Sequence, residues 1–159
     1  MRVAIVTESF LPNINGVTNS VLRILEQLSN SGDQALVIAP AAAQTPTTYA
    51  GHPVKTVPVI NAQNFLPTGM PMGLPQKRIK HLLDGFAPDV IHLASPFALG
   101  SYANKVAKQL NIPTISIYQT DLGGFAKQYG FGIAQHSLKK ILYKIHSQTD
   151  RTLAPSTAA

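Results

Sequence analysis

The chain has 159 residues, enough for one well-cored domain and too few for two comfortable ones. It is 45% hydrophobic and 13% charged, about half the usual charged share of ~25%, so it is a densely buried globular chain rather than a disordered one. With no cysteine, a disulfide framework, thiolate metal sites and a cysteine nucleophile are all excluded.

Thirteen Lys and Arg against seven Asp and Glu give a net charge of +6. Such an excess fits a phosphorylated ligand or an anionic membrane surface, or simply a soluble surface. The positive charges are scattered, without the aromatic-interleaved patch that nucleic acid binding uses, so no nucleic-acid partner is expected. The apolar run Val3–Val6 is only a strand's length and lacks a following cleavage signal. No segment approaches the ~20 apolar residues of a membrane span, so the expectation is a cytoplasmic protein, soluble or peripheral on the inner membrane face.

Arg2 to Thr7 reads as a buried strand. From Thr18 to Ser29, Val21, Leu22, Ile24, Leu25 and Leu28 line one face of a helix. Ser31-Gly32-Asp33 stops it, because glycine accepts the left-handed turn after a helix. Ala35 to Ala39 is a second strand, closed by Pro40. Val54 to Val59 is a third, which Pro58 assigns to an edge or to an early end. Ile60 to Leu74 holds Pro67, Gly69, Pro71 and Gly73 among apolar residues and reads as an apolar loop. Pro75 suits the first turn of a helix running to Phe86. Val90 to Leu93 is a strand. Leu99, Tyr102, Ala103, Val106, Ala107 and Leu110 form the apolar stripe of the next helix. Thr114 to Tyr118 is a strand, Leu138, Ile141, Leu142 and Ile145 mark a last helix, and Thr152 to Ala154 a final short strand.

Alternating strands and helices predict an α/β fold, a doubly wound parallel sheet with right-handed crossovers. Ligands sit at the carboxyl ends of such strands, so the informative loops are Glu8–Val17, Ala94–Leu99 and Gln119–Gly132. The first leads into a helix whose free amides suit an anion, and Gly16 permits close backbone approach. It lacks triple-glycine spacing, which argues against a dinucleotide fingerprint. A plain strand-to-helix turn is the competing reading. Asp121, after Gln119 and Thr120, could orient a sugar hydroxyl, act as a base, or be a turn residue. Ser95-Pro96 shapes a loop mouth where Ser95 could bind an acceptor, and His92 reads as a satisfied core residue of its strand. Lys77-Arg78-Ile79-Lys80-His81, and Lys139 and Lys140 with Lys144, could face an anionic leaflet or merely solvent. No nucleophile elbow, paired metal-spaced histidines or Walker loop is present.

The segments ESFLPNINGVTNSV, LVIAP, PDVIHLASPFALG, IPTISIYQTDLGGFAKQYG and LAPST occur in this order. Together they resemble family-4 retaining glycosyltransferases, and look most like actinobacterial GDP-mannose-dependent alpha-mannosyltransferases. The resemblance implies a GT-B enzyme of two Rossmann-like domains, of which residues 1–159 are the N-terminal, acceptor-side one. The donor-binding domain would lie elsewhere, consistent with a chain that reads as cut after a strand. By resemblance, Asn15, Gly16 and Val17 approach the donor diphosphate and the acceptor. Gln119, Thr120 and Asp121 fall where relatives carry a His-Thr-Asp-like segment touching the transferred sugar, with Gln119 replacing the ionisable histidine. The implied partners are a sugar nucleotide such as GDP-mannose and a lipid-linked or polysaccharide acceptor. No metal or cofactor is implied, and catalysis would rest on positioning and charge stabilisation. A UDP-sugar with a diacylglycerol acceptor, and a non-catalytic nucleotide- or carbohydrate-binding module, remain the alternative readings.

Overall fold

The computed structural model describes residues 1–60, 72–73, 77–95, 97–118, 143–144 and 146–154. In chain order its elements are β1 (Arg2–Val6), α1 (Gly16–Asn30), β2 (Gln34–Pro40), β3 (Thr48–Tyr49), β4 (His52–Val57), β5 (Val59–Ile60), β6 (Met72–Gly73), α2 (Lys77–Phe86), β7 (Val90–Leu93), α3 (Ala98–Leu110), β8 (Thr114–Ile117) and β9 (Arg151–Leu153).

After its first residue β1 is apolar and buried throughout, as is β2. Strands covered on both faces lose the polar alternation of half-exposed ones, and they pair in parallel. The sheet has seven strands in the order β3-β4-β2-β1-β7-β8-β9, parallel except for β3 against β4. Its register sets Ile5 between Val37 and His92. One face buries Ala4, Val6, Ile38, Ile91 and Leu93 under α2 and α3, through Ile79, Leu83, Leu99 and Ala103. The other buries Val3, Ile5 and Val37 under α1, through Val21 and Leu25. Each such fully buried Leu or Ile contributes about 1.5–3 kcal/mol relative to exposure.

From β1 the chain winds outward through β2 to β4, then returns to β7 and winds the other way. The strand order therefore reverses between β1 and β7, and the crevice at that switch point is where open α/β sheets take ligands. The α/β doubly wound architecture read from the sequence is the observed one.

Several details differ. β4 ends at Val57, before Pro58, but is not an edge, because β3 lies beyond it. The hairpin between them turns on Ala50 and Gly51, both at positive φ (48° and 82°), without the Asn-Gly pair that announces such turns. Val59–Ile60 pairs antiparallel with Met72–Gly73, so the ends of the expected apolar loop form a small second sheet. Residues 61–71 and 74–76 lie outside the described residues, as does Pro75. α1 starts at Gly16, two residues earlier than its apolar stripe, because Asn15 caps it. Gly32 takes the expected left-handed turn (φ 71°). Of the last helix, residues 143–144 and 146–147 are helical, and Leu138, Ile141, Leu142 and Ile145 lie outside the described residues. Among the described residues no helix is long and apolar enough to cross a membrane.

Two polar devices hold the layers in register. His52 is buried in β4, where its Nδ1 accepts from the Ala35 amide (3.1 Å) and its Nε2 donates to the Leu25 carbonyl (3.1 Å). The Nε2-protonated ring thus satisfies both contacts. At the other end, the fully buried Ser116 hydroxyl lies within 2.9 Å of His146 Nδ1 and of Thr149 Oγ1, and 3.1 Å from Thr152 Oγ1. Asp150 accepts from both the amide and the hydroxyl of Thr114 at 2.8 Å. These bonds hold its carboxyl below the usual carboxylate range.

Candidate functional site

The loop leaving β1 is built from short polar side chains that bond one another. Thr7 Oγ1 donates to the Ser9 carbonyl (2.8 Å), and Ser9 Oγ lies 3.2 Å from Thr18 Oγ1. Asn15 closes the circuit: its Nδ2 donates to Ser9 Oγ (2.7 Å) and its Oδ1 accepts from the Thr18 amide (2.9 Å). With extended backbone (φ −153°), Asn15 is the N-cap of α1. The Asn19 amide bonds the Asn15 carbonyl, which leaves the Gly16 and Val17 amides without an acceptor among the described residues. Gly16 is exposed, and a Cβ there would meet nothing within 4 Å. Neither backbone angle nor packing demands glycine at 16. The helix start at this position is open to solvent.

Across the switch point, α3 begins at Ala98 with Phe97 as a cap that offers no side-chain bond. Its orphan amides are served from the opposite loop: the Leu99 amide donates to Glu8 Oε1 at 2.6 Å. Burial pushes the Glu8 carboxyl up from 4.5 to about 7, against the lowering effect of the Leu99 and Gly100 amides. The β7 side adds Ser95, buried in the turn closed by the Phe97 amide on the Ser95 carbonyl (2.9 Å).

The structure therefore brings Asn15, Gly16, Val17 and Ser95 to the same carboxyl-end crevice. Their parts differ from one another. The side chain of Asn15 is committed to capping, Val17 is half-buried against the α1 face of the core, and Gly16 alone is open. Gln119, Thr120 and Asp121, as well as Pro96, lie outside the described residues. His92 is buried as expected, but its Nε2 has no hydrogen-bond partner among the described residues. Burial lowers its pKa to about 4, so the ring is neutral. Glu8 had not been singled out from the sequence, because its partner is a backbone amide 91 residues away. On α2, Lys77, Arg78, Lys80 and His81 are exposed while Ile79 is buried. Lys144 is exposed, and Lys139 and Lys140 lie outside the described residues.

The pattern of Glycosyltransferase Family 4 matches residues 14–159, from the capped helix start through the last strand. The chain belongs to glycosyltransferase family 4. Within this family-4 chain, similarity to characterised proteins runs end to end. It is 46% identical over 161 residues to a GDP-mannose-dependent alpha-mannosyltransferase of Mycolicibacterium smegmatis, covering 100% of this chain and 43% of that protein. It is 46% identical over 160 residues to the protein of the same description in Corynebacterium glutamicum, covering 99% and 38%. A Mycobacterium tuberculosis protein, again so described, is 44% identical over 164 residues, covering 99% and 42%. The family-4 chain thus spans about two fifths of the length of these relatives.

Proposed function

We propose that this chain is the acceptor-side domain of a retaining alpha-mannosyltransferase that takes mannose from GDP-mannose. The observation that carries the reading is the 44–46% identity along the whole chain to proteins so described. In this reading a second Rossmann-like domain binds the nucleotide, and the reaction takes place in the cleft between the two. The Gly16 and Val17 amides, at the positive end of α1, lie toward the donor diphosphate, where a developing negative charge is stabilised. Ser95 faces the acceptor. Gln119, Thr120 and Asp121 contact the transferred sugar, the Gln119 amide serving as a hydrogen-bonding rather than an ionisable group. No metal is needed, because helix-start amides and basic side chains hold the diphosphate. The acceptor is lipid-linked or polysaccharide, and the basic α2 face carries the enzyme to the anionic inner surface of the cell membrane.

The test is transfer by the full-length gene product from GDP-mannose to a membrane lipid extract, with UDP-glucose run in parallel and this chain run alone. Mannose transfer by the full-length protein only is the expected result. Turnover of the UDP-sugar alone would overturn the donor assignment. Binding without turnover of either would favour a carbohydrate- or nucleotide-binding module.

A further inference from the structure

We propose that Glu8 is a positioning residue that fixes the mouth of the crevice by tying the loop after β1 to the first turn of α3. The inference rests on the reading of that crevice as the acceptor side. A helix normally caps itself with the residue that precedes it, yet Phe97 supplies no such bond. The acceptor comes instead from the opposite wall: Glu8 Oε1 takes the Leu99 amide at 2.6 Å. A carboxylate at a helix N-terminus is favoured by the dipole as well as by the bond.

The tie continues on the other side. Next to Glu8, Ser9 bonds Asn15 and Thr18, and Asn15 holds the start of α1. An unbroken series of contacts thus runs from the Leu99 amide through Glu8 and Ser9 to the helix start at Gly16. A change in how Glu8 holds α3 alters the spacing between the loop after β7 and the open amides of Gly16 and Val17.

The charge state of Glu8 enters because the two amides it meets offset its burial only in part. The first turn of α3 presents Ala98, Leu99, Gly100 and Ser101, the loop after β7 presents Ala94 and Ser95, and the first turn of α1 runs Gly16 to Asn19. All are uncharged. His92, upstream in β7, is kept neutral by burial. Among the described residues no cation faces the carboxylate, and its ionisation moves up to about 7. The charge-assisted bond to Leu99 therefore weakens on protonation within the physiological range.

Two readouts test the clamp. In isotopically labelled protein, the Leu99 amide proton resonance should titrate with a midpoint near pH 7 and stand still in Glu8→Gln, which keeps an oxygen acceptor but cannot ionise. In the full-length enzyme, with octyl α-mannoside as acceptor and GDP-mannose as donor, Glu8→Ala should raise the acceptor KM about three- to tenfold. The wild-type acceptor KM should rise as pH falls through 7, and in Glu8→Gln it should become independent of pH. A Leu99 amide that ignores pH in the wild type, or a Glu8→Gln enzyme that keeps the acid rise in acceptor KM, would overturn the proposal. A titrating Leu99 amide in a full-length protein that transfers sugar from no nucleotide would instead sink the proposed function and keep the clamp.

Discussion

Replacing Asn15 separates what the α1 cap does for stability from what it does for a ligand. Asn15→Ala removes the Thr18 amide's acceptor at 2.9 Å and the donor to Ser9 at 2.7 Å. Loss of a cap costs about 1 kcal/mol and loss of a half-buried hydrogen bond about another 1, so roughly 2 kcal/mol is at stake. For a domain of this size that lowers Tm by about 4–8 °C. Asn15→Asp keeps the capping oxygen and gains about 0.3–1 kcal/mol from the helix dipole, which offsets the lost bond to Ser9. It also places a negative charge beside the Gly16 and Val17 amides. Stability should therefore rank wild type and Asn15→Asp together, above Asn15→Ala. Donor affinity of the full-length protein should rank Asn15→Asp last, about tenfold or more below wild type, since a tenfold loss is only ~1.4 kcal/mol of repulsion. The assays are thermal unfolding followed by circular dichroism, and GDP-mannose titration by calorimetry. An Asn15→Ala protein within about 1 °C of wild-type Tm would refute the capping argument. Donor affinity in Asn15→Asp equal to that of wild type would refute the placement of the diphosphate.

Glu8 and His92 should impose opposite pH slopes on stability. The Glu8 carboxyl is raised from 4.5 to about 7, so its contribution is full below 4.5 and lost as pH rises through 7. His92 is lowered from 6.5 to about 4, so its contribution is present above 6.5 and lost as pH falls toward 4. Each amounts to roughly 3 kcal/mol or less. Unfolding midpoints near pH 5 and 8 should show Glu8→Gln losing more stability in acid than wild type, and His92→Gln losing less. Gly73 is packed against the Leu99 side chain, and a Cβ there would lie 2.7 Å from Leu99 Cγ. Gly73→Ala should therefore cost about 1–3 kcal/mol, read as a lowered urea midpoint. In the β3–β4 turn, Ala50→Gly should gain about 0.5–1 kcal/mol and Gly51→Ala lose about 1–2, because both positions sit at positive φ. Differential scanning calorimetry checks the pair, and equal melting of the two variants would remove the strain argument.

The parts legible in the sequence are those governed by short-range pattern. Val21, Leu22 and Leu25 at helical spacing, Leu99 to Leu110, and the apolar runs of β1 and β2 gave the layers, because burial on one face or both leaves a periodic trace. The cap at Asn15 was not read from the sequence, because the apolar stripe begins only at Thr18 and says nothing of the polar residues before it. The rest depended on contacts without such a trace. The bond from Glu8 to Leu99 spans 91 positions and ends on a backbone amide that any residue carries. The Ala50–Gly51 turn has glycine at only one of its two positive-φ positions, so Ala50 is held there by tertiary pairing rather than local chemistry. For His92, burial followed from its place in a strand, but whether its Nε2 finds a partner depends on neighbours that no spacing reveals.

The two halves of the sheet are held by different means. Between β4 and β7 the strands are fastened by interlocking aliphatic side chains, whereas Ser116, His146, Thr149 and Thr152 bind β8 to β9 through hydroxyls and one imidazole. β9 itself is exposed at all three residues and has no further neighbour among the described strands. Hydroxyl contacts are readily exchanged for water, so detaching the exposed strand β9 from β8 should need less free energy than separating the aliphatic centre. Slow amide exchange should be concentrated in β1, β2 and β7, with β9 and the outer side of β8 exchanging earliest. The domain thus has a durable centre at the switch point of its sheet and a margin at β9 that can open without disturbing it.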